Sequence, residues 1–178
     1  MHTRKSVENT LATEAEEKGW FRRKLPFQSI TSKDLLDFPE MTERDLKIFF
    51  TGSYQLSQSV SYLAEMIDKN GELNIKFVKN EENVLKVEVQ SRHVSRTKYR
   101  CFLRYTPNST RISGVTHYAC ECANGLRTIG CCCHIAAIIY YLSHARYLAK
   151  ILKPAEILSD LFKKTNNIPV TDSDSEED

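Results

Sequence analysis

No apolar run in this chain approaches the roughly 20 residues that a membrane-spanning helix needs, so a helical span is not expected. The opening residues, Met1-His-Thr-Arg-Lys-Ser-Val-Glu-Asn, lack the apolar core of a secretory signal. A protein that is not secreted keeps its thiols reduced, which turns clustered cysteines toward metal rather than disulfides. The expected compartment is nucleus or cytoplasm. No trio of carboxylates marks a nuclease site, because the acids are scattered through helical stretches or gathered in the tail. Cys133 and His134 are adjacent, and neighbouring side chains do not present the geometry of a nucleophile and its base. Neither an enzyme nor a small-molecule substrate is expected.

What is abundant is cysteine in one place. The segment Cys120-Glu-Cys122-Ala-Asn-Gly-Leu-Arg-Thr-Ile-Gly-Cys131-Cys132-Cys133-His134 holds five of the six cysteines and a histidine. Thiolate and imidazole are the donors zinc prefers, and four of them in tetrahedral array make a closed structural site. Cys120-x-Cys122 and Cys132-x-His134 form two short ligand pairs, the first at a strand end and the second at a helix start. Asn124-Gly125 offers a turn between them, since glycine tolerates positive φ. Cys132 is the expected third ligand because its gap to His134 mirrors the first pair, and Cys131 is the alternative. Cys133 is expected to pack as a small apolar residue. One structural zinc ion is the implied cofactor.

Chain length suits one ordinary domain with tails. Thr42 opens a helix, with Glu43 and Asp45 in the first turn, where the helix dipole favours acids. A second apolar series (Tyr54, Leu56, Val60, Leu63, Ile67) recurs at helical spacing. Alternation then marks strands through Leu73, Ile75 and Phe77, through Leu85, Val87 and Val89, and through Tyr99, Cys101, Leu103 and Tyr105. A fourth strand from about Ile112 to Tyr118 leads into the cysteines. Ile135, Ile138, Ile139 and Leu142 form one helical stripe. The expected fold class is therefore α+β: N-terminal helices, a four-stranded antiparallel meander with one covered face, and a zinc-clamped C-terminal helix. Residues 1–41 read as a partly ordered leader, 42–150 as the domain, 151–165 as a short helix and 166–178 as an acidic disordered tail. Ser173 and Ser175 stand before acids at the spacing of an acid-directed kinase.

Charge is distributed unevenly. The tail holds five of the 23 acids and no base, which leaves 25 bases against 18 acids elsewhere, a balance near +7. Such a body can meet polyanions. Lys98, Arg100 and Arg104 share one face of a predicted strand, with Arg92 and Arg96 just before it and Arg127 in the metal loop. These are the candidate nucleic-acid contacts, against the plainer reading of a solvated sheet face. His93 and His117 have no partner at metal spacing and are read as ordinary histidines.

The pattern Cys-x-Cys, spacer, Cys-x-His resembles the SWIM-type zinc finger, at about residues 116–145. The likeness extends over residues 42–150, including Gly52-Ser-Tyr-Gln-Leu, Val89-Gln-Ser-Arg-His93 and Tyr140-Tyr-Leu-Ser-His-Ala-Arg, to the SWIM module of transposon-related animal proteins. The resemblance implies zinc held by Cys120, Cys122, Cys132 and His134. It also implies a role in binding nucleic acid, DNA ahead of RNA, with a protein–protein adaptor as the alternative.

Overall fold

The computed structural model describes residues 9–22, 27–67, 73–78, 81–91, 96–125 and 131–148. Arg92, His93, Arg127, the expected helix at 151–165 and the acidic tail at 166–178 lie outside them. Among the described residues four helices, α1 (Thr10–Glu17), α2 (Glu43–Phe49), α3 (Ser53–Met66) and α4 (Cys133–Ser143), accompany five strands. The strands are β1 (Phe27–Ile30), β2 (Ile75–Val78), β3 (Val84–Gln90), β4 (Lys98–Tyr105) and β5 (Val115–Cys120). They pair antiparallel in the order β1-β2-β3-β4-β5, so the fold is α+β with a meander of five strands rather than four. The added strand, β1, comes from the segment read as leader. Among the described residues no helix is long and apolar enough to cross a membrane.

Local chemistry accounts for the helix boundaries. Thr42 caps α2 in a reciprocal box: the Asp45 amide donates to Thr42 Oγ1 at 3.2 Å, and the Thr42 amide donates to Asp45 Oδ2 at 3.0 Å. Two orphan donors are satisfied at once. Between α2 and α3 the chain reverses at Gly52, whose φ of 143° is open to glycine and strained for other residues.

The β3–β4 register sets Leu85 opposite Leu103, Val87 opposite Cys101 and Val89 opposite Tyr99, which places this apolar row on one face. The row joins α3 and α4 in the main core. Sequence periodicity marks one stripe on α4, yet Ala136, Ala137, Tyr141 and Ser143 are buried together with Ile135, Ile138, Ile139 and Leu142. A helix apolar around most of its girth belongs in the centre of a fold. Its far end is fastened by residues just before α2: the Met41 amide donates to the Ser143 carbonyl at 2.9 Å, and an Arg146 guanidinium nitrogen donates to the Leu35 carbonyl at 2.7 Å.

The opposite sheet face is covered as well, where one covered face is the sequence expectation. Trp20 and Phe21 pack on Phe102, with ring centroids 5.5 and 5.2 Å away, and Leu11, Ala15, Val78 and Val84 complete a second small core. Strand alternation sets Phe102 on the side of Arg100 and Arg104, which the sequence pattern marks as polar, yet Phe102 is fully buried. Helix α1 is pinned over it by Asn9, whose side-chain amide donates to the Tyr118 carbonyl at 3.0 Å, and by the Glu14–Arg104 ion pair at 2.9 Å.

Truncating Phe102 to Ala should cost about 3–5 kcal/mol, as aromatic-to-Ala changes in cores do. The measurement is the urea midpoint. A loss within experimental error would mean that α1 and Trp20 do not form a packed second core.

Candidate metal centre

Strand β5 ends at Cys120, and the chain turns tightly through residues 121–125. The Gly125 amide donates to the Cys122 carbonyl at 2.8 Å, and the Cys120 amide returns to the Gly125 carbonyl at 3.3 Å. Gly125 is required for space rather than for positive φ, contrary to the sequence argument. A Cβ there would lie 2.2 Å from the Cys120 carbonyl oxygen, and positive φ among the described glycines occurs only at Gly19 and Gly52. Cys132 is the N-cap residue of α4, and its carbonyl accepts the Ala136 amide at 2.9 Å. His134 follows in the first turn, at the end of the helix dipole that stabilises negative charge.

These two halves meet. One donor atom from each of Cys120, Cys122, Cys132 and His134 lies within 4.8 Å of the others, and all four residues are buried. His134 Nδ1 is 3.8 Å from Cys120 Sγ and 3.9 Å from Cys132 Sγ. Tetrahedral zinc, with bonds of about 2.3 Å to sulfur and 2.0–2.1 Å to nitrogen, sets ligand–ligand edges of roughly 3.5–3.8 Å. The donor set and its spacing fit one such ion. Tyr62 and Tyr99 hold the imidazole between them, with ring centroids 5.0 and 5.1 Å from its own.

Cys131 stands outside this group. Its carbonyl accepts the Gln55 side-chain amide at 2.9 Å, and burial pushes its thiol up to about 12. Cys133 is half-buried on α4. The residue that sequence reasoning missed is Cys101, which faces Cys120 across the β4–β5 ladder with sulfurs 3.4 Å apart. Its alternation with Tyr99 and Leu103 reads as plain core, and only the strand register reveals the neighbour. Burial pushes the Cys101 thiol up, so it stays protonated and can donate to the Cys120 sulfur.

Crowding governs the ionisation of the cluster. Hydrogen bonds from the Cys120 and Cys132 thiols hold Cys122 well below the ordinary thiol range. Cys120 is pushed far up, first by its contact with Cys101 and then by Cys122, and Cys132 likewise by Cys120 and Cys122. Thiols so close oppose one another's ionisation, because each thiolate repels the next in a buried setting. A divalent ion removes that limit by displacing their protons.

Of the basic candidates, Arg96, Lys98 and Arg100 line one hollow of the sheet face, and Arg104 stands apart from them. Arg100 is tied to Glu121 at 3.0 Å and Arg104 to Glu14 at 2.9 Å, while Lys98 and Arg96 are exposed. Both paired arginines are thus partly neutralised. His117 is exposed on β5 opposite Arg104 and away from the four donors. No protein-family model, curated protein or solved structure matches the chain.

Native mass spectrometry under reducing conditions should give one zinc per chain, retained in Cys131→Ser and lost in Cys132→Ser. Zinc lost equally from both would refute the assignment of the third ligand. Gly125→Ala should lower zinc affinity about tenfold or more, in line with changes that disturb ligand orientation. Uptake should release protons from the cysteine ligands, so affinity falls as pH is lowered. An affinity flat between about pH 6 and 8, by competition with a chelator, would contradict thiols as ligands.

Proposed function

We propose that this chain is a zinc-stabilised recognition module of SWIM type whose partner is nucleic acid, DNA ahead of RNA. The observation that carries the zinc reading is the buried group of three cysteines and one histidine, with spacing suited to a tetrahedral ion. Four protein donors leave such an ion no open position for a substrate, so the role is structural and the module is not an enzyme. The ion joins the end of β5 to the start of α4 and thereby fixes the central helix on the sheet. Reduced thiols suit the nucleus or cytoplasm.

The basic body supports a polyanionic partner, and the sequence likeness to the SWIM module of transposon-related proteins supports DNA and a mobile-element origin. A protein partner is the second reading. It is favoured by a hollow of about 460 Å³ beside the metal group, bordered by Tyr54, Gln55, Gln58, Tyr62 and Tyr99. Tyr54 is 75% exposed there, and aromatic and amide side chains suit a peptide surface.

Fluorescence anisotropy with labelled duplex DNA tests the first reading. The zinc-loaded chain should bind at about 50 mM salt and lose affinity steeply toward 200 mM, as phosphate contacts require. Stripping the zinc should abolish binding together with the near-ultraviolet signal of the folded core. Absence of binding by the folded, zinc-loaded chain at low salt would sink the nucleic-acid reading and leave the protein partner.

A further inference from the structure

The sheet face opposite α3 and α4 is covered by α1 only at one end. At the other end lies an open hollow of about 540 Å³, lined by Lys76, Lys86, Glu88, Lys98 and Arg100 from three adjacent strands, by Arg96 from the turn before β4, and by the ring of Phe27. Its volume falls in the range of small-ligand pockets, roughly 300–1,000 Å³. Among the described residues five bases face one acid there.

The register makes this concentration unavoidable. Lys76 stands directly opposite Lys86, and Glu88 opposite Arg100, all on one face. Like charges directly opposed on a sheet are destabilising. Lys86 is the more constrained of the two lysines: its side chain is 4% exposed, its ammonium lies 3.2 Å from Glu88 and 3.8 Å above the Phe27 ring. Burial holds its ammonium below the ordinary lysine range, and the charges of Arg100 and Lys76 add to the effect. Among the described residues Glu88 is the single acid lining the hollow, and Arg100 shares its charge with Glu121 outside it. No carboxylate forms an ion pair with Lys76, Arg96 or Lys98 among the described residues. A solvated sheet face has no need to bury a lysine among four further cations.

We propose that this hollow is a binding site for a phosphate group, with Lys76, Lys86, Arg96 and Lys98 as its cationic walls and Phe27 as its floor. A carboxylate would answer one of these charges, whereas a phosphate offers more acceptor oxygens and, as a monoester or pyrophosphate, more than one negative charge. Guanidinium and ammonium donors together are the usual partners of that group. Arg104 does not belong to the site, since it lies under α1 with Glu14. The phosphate can be carried by a nucleic-acid backbone or by a free phosphorylated compound. The site goes beyond the nucleic-acid reading and stands without it.

The test uses the full zinc-loaded chain with two probes: inorganic pyrophosphate, followed by amide shift perturbation, and labelled duplex DNA, followed by anisotropy at about 50 mM salt. The paired variant Arg96→Glu/Lys98→Glu is compared with Lys33→Glu/Arg44→Glu, an equal charge change on exposed residues elsewhere. Pyrophosphate should shift the amides of β2, β3 and β4 around the hollow. Its affinity should fall about tenfold in the first variant and within about twofold in the second, since a directly contacting charge outweighs the general field. If pyrophosphate also displaces DNA and the same variant weakens both, the phosphate is that of nucleic acid. If pyrophosphate binds there and DNA does not bind at all, the site stands, a free phosphate compound is its ligand, and the nucleic-acid reading falls. If pyrophosphate leaves the hollow unshifted, or both variants weaken it equally, the proposal is overturned, even where DNA still binds elsewhere.

Discussion

Three sulfurs and an imidazole nitrogen held within 4.8 Å of one another, and away from water, are a constraint that the rest of the molecule must satisfy. Thiols so close cannot all ionise unless a cation neutralises them, because each new thiolate is repelled by the last in a medium that screens poorly. Folding assembles the group by joining a strand end to a helix start. The position of α4 therefore depends on Cys132 and His134 meeting Cys120 and Cys122. Since α4 is buried around most of its girth, α3, the sheet and the segment before α2 all pack against a helix placed in this way. The tight turn at residues 121–125, the tyrosines flanking His134 and the missing side chain at Gly125 serve the same arrangement.

The sheet then separates two kinds of chemistry. One face is apolar from Ile75 through Leu85 and Leu103 and builds the main core with the metal group at its edge. The other is divided along its length. At one end α1 and Trp20 close over Phe102, and there Arg104 is neutralised by Glu14. At the other end Lys76, Lys86, Lys98 and Arg100 collect around a hollow in which, among the described residues, Glu88 is the one acid. A single strand, β4, takes part in all three environments: Cys101 beside the metal group, Phe102 in the second core and Lys98 at the basic hollow.

Much of this was legible along the chain. The helix start at Thr42, the second helix to its last turn, the three alternating strands and the two ligand pairs all follow from spacing between near neighbours. The metal group is the clearest case, since donors two residues apart at a strand end and a helix start need little tertiary information to be recognised. Other features were hidden. Strand β1 has four residues and a weak alternation, and it becomes a strand by pairing with β2. Phe102 and Lys86 read as the polar side of their strands because nothing local signals that α1 and Phe27 cover them. Cys101 read as core, which it is, while its contact with Cys120 lies 19 residues away in sequence.

The sequence by itself determined most of the element types, the apolar row shared by the central strands and the chemical nature of the cysteine–histidine group. These are set by side-chain period and by donor spacing, both of which are local. Only the tertiary structure decided that Cys101 stands against Cys120, which arginines are paired with Glu14 and Glu121, and where basic side chains gather around one hollow. Those outcomes depend on strand register and helix docking. A register places residues from distant parts of the chain side by side, and no pattern within one segment can specify its neighbour across the sheet.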